Sequence, residues 1–343
     1  MSSLLVTGGT GFIGSHSVLS LKDRWTDVVI LDNFSNSDKE VFLKLKKLSN
    51  LPLNLVNGDV RDEDQLLETF DKYKFSAVMH FAGVKSVGES VDHPIKYYEN
   101  NVEGAITLIK VMQRFSVRRL VFSSTATVYG APDYVPLDEG HPKRPNSPYA
   151  RVKLHVEELL QDIVQSDPEW GVAILRYFNP VGAHESGLLG ENPVGKPNNL
   201  MPLVAQVSLG IRADLEIYGC DYPTKDGTGV RDYVHIMDVA DGHERALDYI
   251  ILNRGIHSFN LGTGRGYSVL EVIDMYQKVS GKTIFPRFVD RRKGDVSAYY
   301  ADAGKARKLL GWIPRRGLYE MCLSSWNFNK NKLHGKLSAA HFS

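Results

Sequence analysis

The sequence predicts an α/β protein built on a doubly wound parallel sheet, followed by a smaller and less regular α/β region. Short apolar runs alternate with longer stretches of helical periodicity through the first half, as repeated strand–helix–strand units require. Their apolarity is continuous rather than alternating, which suits strands covered on both faces. After Arg176 the regular alternation stops, and glycine and proline crowd residues 180–202 and 219–229.

Residues 4–6 form the first predicted strand, and the glycine-bearing stretch behind it opens the first helix. Residues 28–31, 53–56, 77–81, 120–122 and 172–175 follow as further strands, with amphipathic helices between them. A later apolar stretch, 257–261, ends in Gly262, Thr263 and Gly264 and is expected to return to the first sheet. The expected division is 1–180 for the first domain, with a return segment near 230–262, and 181–343 for the second.

Composition narrows the class. With 43% apolar residues and a net charge of +1 over 343 residues, the chain can bury one large core or two smaller ones. No basic block is long enough for a nucleic-acid partner, and the lysines between Lys44 and Lys47 read as a solvated helix face. Arg291, Arg292 and Lys293 are the one local cluster of interest. Cys220 and Cys322, the only cysteines, are too few for a disulfide framework or a cysteine metal site, so no metal is expected. A strand beginning at Leu4 leaves no room for a signal peptide, no apolar run is of membrane-spanning length, and the end from Ala339 to Ser343 matches no address signal. The expected location is the cytoplasm.

Gly8, Gly11 and Gly14 stand between the first strand and the first helix. Glycine there permits a tight turn and lets the backbone approach a pyrophosphate, which sits on the partly positive helix N-terminus. Three glycines alone would fit a flexible loop, but this placement indicates a dinucleotide turn of Rossmann type. Asp32 closes the second strand, where a carboxylate accepts from ribose hydroxyls and repels a 2′-phosphate, so NAD is favoured over NADP. Asp32 and Asn33 could otherwise begin a plain turn. Asp59, at the end of the third strand, is placed to meet the adenine edge.

Asn146, Ser147 and Pro148 read as a helix start, a capping polar residue followed by proline. Tyr149 and Lys153 then fall one turn apart on one face. A free tyrosine titrates near pH ~10, and lowering it by roughly three units to act as a base costs about 4 kcal/mol. The helix dipole supplies about 0.3–1 kcal/mol, so the Lys153 ammonium and an oxidised nicotinamide are the expected remainder. An exposed helix pair is the alternative.

The glycine turn, Asp32, Tyr149 and Lys153 together resemble the extended short-chain dehydrogenases. The segments 80–90, 123–130, 176–180 and 227–233 narrow the resemblance, over nearly the whole chain, to the UDP-glucose 4-epimerases. The resemblance implies that Tyr149 removes the proton of the sugar 4′-hydroxyl while hydride passes from C4′ to a retained NAD, and that the 4-keto sugar takes the hydride back on its other face. Lys153 would hold the nicotinamide ribose and tune Tyr149. Thr125, where the family commonly has serine, would bond the reacting oxygen with a stiffer side chain.

By the same resemblance, Gly8, Gly11, Phe12, Ile13, Gly14, Asp32, Asn33, Phe34, Ser35, Asn36, Ser37, Asp59, Val60, Phe81, Ala82, Gly83, Lys85, Asn100, Tyr149, Lys153 and Phe178 would line NAD. UDP-glucose or UDP-galactose would meet Lys85, Thr125, Tyr149, Phe178, Asn179, Asn199, Leu200, Glu216, Ile217, Tyr218, Arg231, Arg292, Asp295 and Tyr299. Arg231 and Arg292 suit a two-pronged grip on the diphosphate, and Asp295 would accept from the uridine ribose. Tyr299 would limit room at the sugar C2 substituent. The helices around 102–113 and 149–160 would pair in a homodimer. No fused mutarotase domain is expected.

Two other readings are open to sequence. A nucleotide-sugar 4,6-dehydratase shares the cofactor and the first step but needs an acid beside the active-site hydroxyl, where this chain has Ala126 and Thr127. A non-catalytic dinucleotide sensor would have no use for Tyr149, Lys153 and Thr125.

Overall fold

The computed structural model describes residues 3–193, 195, 197–292 and 294–340. The strands are β1 (Ser3–Thr7), β2 (Asp27–Asp32), β3 (Leu53–Asn57), β4 (Phe75–His80), β5 (Arg119–Thr125), β6 (Gly171–Tyr177), β7 (Asn179–Val181), β8 (Leu215–Tyr218), β9 (Val230–His235), β10 (Gly255–Leu261), β11 (Gly266–Ser268), β12 (Pro286–Val289) and β13 (Ala298–Tyr299). Seven of them form one parallel sheet in the order β10-β6-β5-β4-β1-β2-β3.

Successive residues of a strand point to opposite faces, and here both faces are covered. Leu4, Val6, Val28 and Ile30 join the helices Phe12–Ser20, Lys39–Leu48 and Ile236–Leu252 through Val18, Leu45 and Leu247. Leu5, Val29, Leu31 and Phe122 meet the helices Glu63–Tyr73, Gly104–Arg114 and Pro148–Ser166 through Phe70, Leu108, Met112, Val156 and Leu160 on the other side. The continuous apolar runs therefore mark this sheet.

The fourth strand ends at His80, not at Phe81. The Phe81 amide still bonds Thr7 O, but Gly83 then adopts φ 151°, and Asn101 takes both the amide and the carbonyl of Val84 at 3.0 and 3.1 Å, drawing the backbone out of the ladder.

The second half is interwoven with the first. β7, β9, β11 and β13 form a small sheet, and β8 pairs with β12. These pack with the helices Leu200–Ser208, Val269–Ser280 and Leu318–Ala340 around Val204, Ile217, Tyr276 and Met321. The helix Ile236–Leu252 and β10 lie on the large sheet, whereas β9 belongs to the small one. Fully buried Asp232 on β9 ties the halves by accepting from the amides of Thr263, Gly264 and Ala301 at 2.8, 3.0 and 3.1 Å.

Candidate active site

A cleft runs along the C-terminal ends of β1, β2, β4 and β5, the edge at which open parallel sheets bind ligands. Gly8 leaves β1 at φ 69°, and a Cβ there would sit 2.6 Å from Ala82 N. A Cβ at Gly14 would sit 2.4 Å from Gly8 O, so glycine is what lets the helix Phe12–Ser20 pack onto the turn. That helix has no side-chain cap and no acidic residue in its first turn, which leaves its start fit for a pyrophosphate.

Asp32 is nearly buried and accepts from the amides of Thr10 and Phe34 and from the Ser37 hydroxyl, each at 3.0 Å. This shapes the turn that brings Asn33, Ser35, Asn36 and Ser37 to the cleft. Asp59 lies two residues beyond the end of β3, also in the cleft. Arg61 grips it with two prongs at 2.9 and 2.8 Å, Asn33 donates at 2.9 Å, and these donors hold its carboxyl well below the usual range. Val60, Phe81, Ala82, Gly83, Lys85 and Asn100 complete that wall. Lys85 stands in the loop beyond β4, not in the strand, with its ammonium 5.8 Å from the centre of the Phe12 ring. These features together fit a dinucleotide with a free ribose diol.

Ser147 caps the helix Pro148–Ser166 by accepting from Ala150 N, so the helix begins where its sequence indicates. Tyr149 and Lys153 both face the cleft. Thr125, at the end of β5, accepts from Thr127 N at 3.2 Å, and its hydroxyl lies 3.0 Å from that of Thr127. Burial pushes the phenol up to about 12, and the Thr125 hydroxyl opposes that rise. The Lys153 ammonium instead donates to the Ser123 carbonyl at 2.8 Å. Burial brings this ammonium down to about 8, with Glu157 opposing. The expected lowering of the phenol by Lys153 is thus not produced by the chain alone.

On the other side, Phe178 packs against Tyr299 with ring centres 5.5 Å apart, and the Tyr299 hydroxyl donates to Ala126 O at 2.6 Å. Phe178 and Phe34 are the two expected NAD residues that do not line the cleft. Arg231 on β9 lies 3.5 Å from Asp295, while the Arg292 guanidinium stacks over the Tyr218 ring at 3.8 Å. Tyr218 donates to Glu216 at 2.9 Å. Asn199 precedes the helix Leu200–Ser208, and Asn179 opens β7 with an exposed side chain. The Ile217 side chain is buried in the small core, as is much of Leu200. Lys293 lies outside the described residues.

Sequence reasoning missed several groups. Arg61 and Asn101 are ordinary residues whose roles come from loop geometry. Tyr177 was visible only as part of a motif; its hydroxyl meets that of Ser123 beside Lys153. The segment from Leu189 to Pro193, over the cleft, carries no periodic signal at all.

A family model described as GDP-mannose 4,6 dehydratase matches residues 5–324. A UDP-glucose 4-epimerase of Bacillus subtilis is 48% identical over 337 residues, covering 98% of this chain and 99% of that one. One from Yersinia pestis is 49% identical over 333 residues, covering 97% and 98%. The solved structure of a UDP-glucose 4-epimerase from Stenotrophomonas maltophila with NAD and formylated UDP-arabinopyranose superimposes with a TM-score of 0.95 at 43% identity, covering 98% of this chain and all of that one. One from Bifidobacterium longum with NAD+ and UDP gives 0.93 at 46% identity, covering 97% and 100%.

Proposed function

The chain belongs to the extended short-chain dehydrogenases and, among them, to the UDP-glucose 4-epimerases, and on that premise we propose that it interconverts UDP-glucose and UDP-galactose. It is an NAD-dependent enzyme that epimerises a UDP-sugar at C4′. The observation that carries the assignment of roles is that Tyr149 and the buried Lys153, one turn apart on the helix Pro148–Ser166, line the dinucleotide cleft together.

Tyr149 takes the proton of the 4′-hydroxyl and returns it to the 4-ketone after the sugar has turned over. Thr125 would bond the same oxygen, and its hydroxyl opposes the rise of the phenol. Lys153, whose ammonium the Ser123 carbonyl fixes, would hold the cofactor ribose. When bound, NAD supplies the hydride exchange at C4′ and a positive charge beside a phenol that the chain alone leaves near 12. Arg231 and Arg292 would grip the diphosphate, Asp295 would accept from the uridine ribose, and Tyr299 would limit room on the sugar C2 side.

Elimination of water from C6′ is not favoured, although the matching family model carries a dehydratase's description. Ala126 is buried, and the Thr127 hydroxyl lies 3.0 Å from that of Thr125, so the residues after Thr125 offer no acid. The dimer is supported by Val87, Val91, Ile95, Tyr98 and Ile106, all exposed, beside the helix Pro148–Ser166. Among the described residues no helix is long and apolar enough to cross a membrane. Both cysteines are free, which supports a cytoplasmic location.

The assignment is tested by incubating the purified protein with UDP-galactose and no added NAD. UDP-glucose is the expected product; a 4-keto-6-deoxy sugar nucleotide would overturn it.

A further inference from the structure

Beyond β7, Leu189 to Pro193 lie along the cofactor cleft as a strap. Its base is fixed. Ala183 and Gly190 form an antiparallel bridge, and His184 N donates to Leu189 O at 2.9 Å. Leu189 is buried in the core of the large sheet. A Cβ at Gly190 would sit 2.5 Å from the Phe328 ring, so the strap lies directly on the helix Leu318–Ala340.

From this base Glu191 projects a carboxylate whose side chain is only 9% exposed. A charge so far removed from water needs partners, and those of Glu191 come from two other parts of the molecule. Oε1 accepts from Asn199 Nδ2 at 2.8 Å and lies 3.7 Å from the Lys85 ammonium. Asn199 occupies a position where asparagine ordinarily caps a helix, yet it makes no capping bond there. Lys85 stands over Phe12 at the start of the glycine-turn helix. One carboxylate therefore joins the strap, the sugar-nucleotide helix and the loop beside the dinucleotide's seat.

Resting on the function assigned above, we propose that Glu191 is a positioning residue that ties the strap across the cleft and thereby retains the dinucleotide between turnovers. Its attraction holds Lys85 over the helix start, and its hydrogen bond holds Asn199 away from the cap. Glu191→Gln keeps an acceptor for Asn199 and removes the charge facing Lys85, whereas Glu191→Ala removes both.

The test compares the wild type and both variants, purified without added NAD, by the NAD released per chain on denaturation and by the rate at which bound NADH fluorescence is lost on dilution. The expected result is dissociation about 10-fold faster for Glu191→Gln and up to about 100-fold faster for Glu191→Ala, the range of a charge-assisted hydrogen bond. Circular-dichroism melting of the cofactor-free proteins separates retention from folding. Faster loss of NADH with unchanged melting supports the tie. Wild-type dissociation in Glu191→Gln and Glu191→Ala, or faster loss matched by an equal drop in melting temperature, overturns it. Wild-type protein that holds NAD but epimerises nothing refutes the functional assignment and leaves the retention comparison readable.

Discussion

Lys153 and Tyr149, one helical turn apart, have different partners: the ammonium donates to the Ser123 carbonyl oxygen at 2.8 Å, and the Tyr149 ring stands edge-on to that of Tyr97 with centres 6.4 Å apart. The two residues that sequence presents as one motif therefore do separate work, and each can be altered without directly unpairing the other.

Replacing Tyr149 by Phe removes the proton acceptor and keeps the ring. The expected loss in kcat is about 10²- to 10⁴-fold, with NAD content unchanged, measured by coupled assay and by cofactor release. Thr125→Val removes the hydroxyl that opposes the rise of the phenol. The rate should then reach half its plateau at a higher pH than in the wild type, whereas Thr125→Ser should follow the wild-type profile. Coincident profiles for all three proteins would count against the role of Thr125.

Lys153 makes a prediction about stability. Folded, the ammonium releases its proton near pH 8; unfolded, it holds it to 10.5. Between these values the unfolded chain binds more protons, so stability rises with pH across the window, and the burial penalty stands in full below it. Denaturant unfolding of the cofactor-free wild type and Lys153→Met at about pH 7 and about pH 10.5 should show the wild type gaining about 3 kcal/mol on the variant. A difference that does not change with pH would contradict the burial of the charge.

Glu157 grips Arg176 through bonds of 3.0 and 2.6 Å, accepts from Ser124 at 2.5 Å, and is itself almost fully buried. Glu157→Gln leaves the Arg176 cation uncompensated and should cost about 3–5 kcal/mol. Glu157→Leu with Arg176→Met should recover most of that loss in a double-mutant cycle. The single variant should also move the Lys153 transition below pH 8, since Glu157 is the group that opposes its lowering.

Tyr299 fills space between Phe178 and Ala126. Tyr299→Cys should admit UDP-N-acetylglucosamine as a substrate, detected by formation of UDP-N-acetylgalactosamine, with a stability cost of about 3–5 kcal/mol for the lost ring. Unchanged specificity would remove Tyr299 from the sugar site.

Ile95→Arg places a charge within the exposed apolar stretch around residues 87–106. Light scattering coupled to size exclusion should show a dimer for the wild type and a monomer for the variant at micromolar concentration. A wild-type monomer would end the dimer proposal.

The large sheet was legible because burial on both faces keeps apolar runs at the centre of most of its strands, and the glycine turn because only glycine tolerates the approach of Ala82. The start of the helix at Ser147 was legible from its cap. The small sheet was not, since β7, β11 and β13 are only two or three residues long and leave no periodic trace. Nor could sequence show that Arg61 holds Asp59 or that Glu191 reaches Lys85, because such pairings depend on where loops cross. The pairing of Lys153 with a carbonyl is of the same kind: spacing places the side chain on a face but does not choose its partner.

Asp232 and the path of β7, β9 and β10 have a consequence for inheritance. The chain leaves the large sheet after β6, returns to it as β10 and leaves again, with Asp232 binding the crossings together. A recombination event that exchanged the whole sugar-nucleotide half as one contiguous block would carry off a strand of the dinucleotide half. Descendants of this architecture would thus change their sugar by substituting side chains in place, one position at a time, rather than by trading modules.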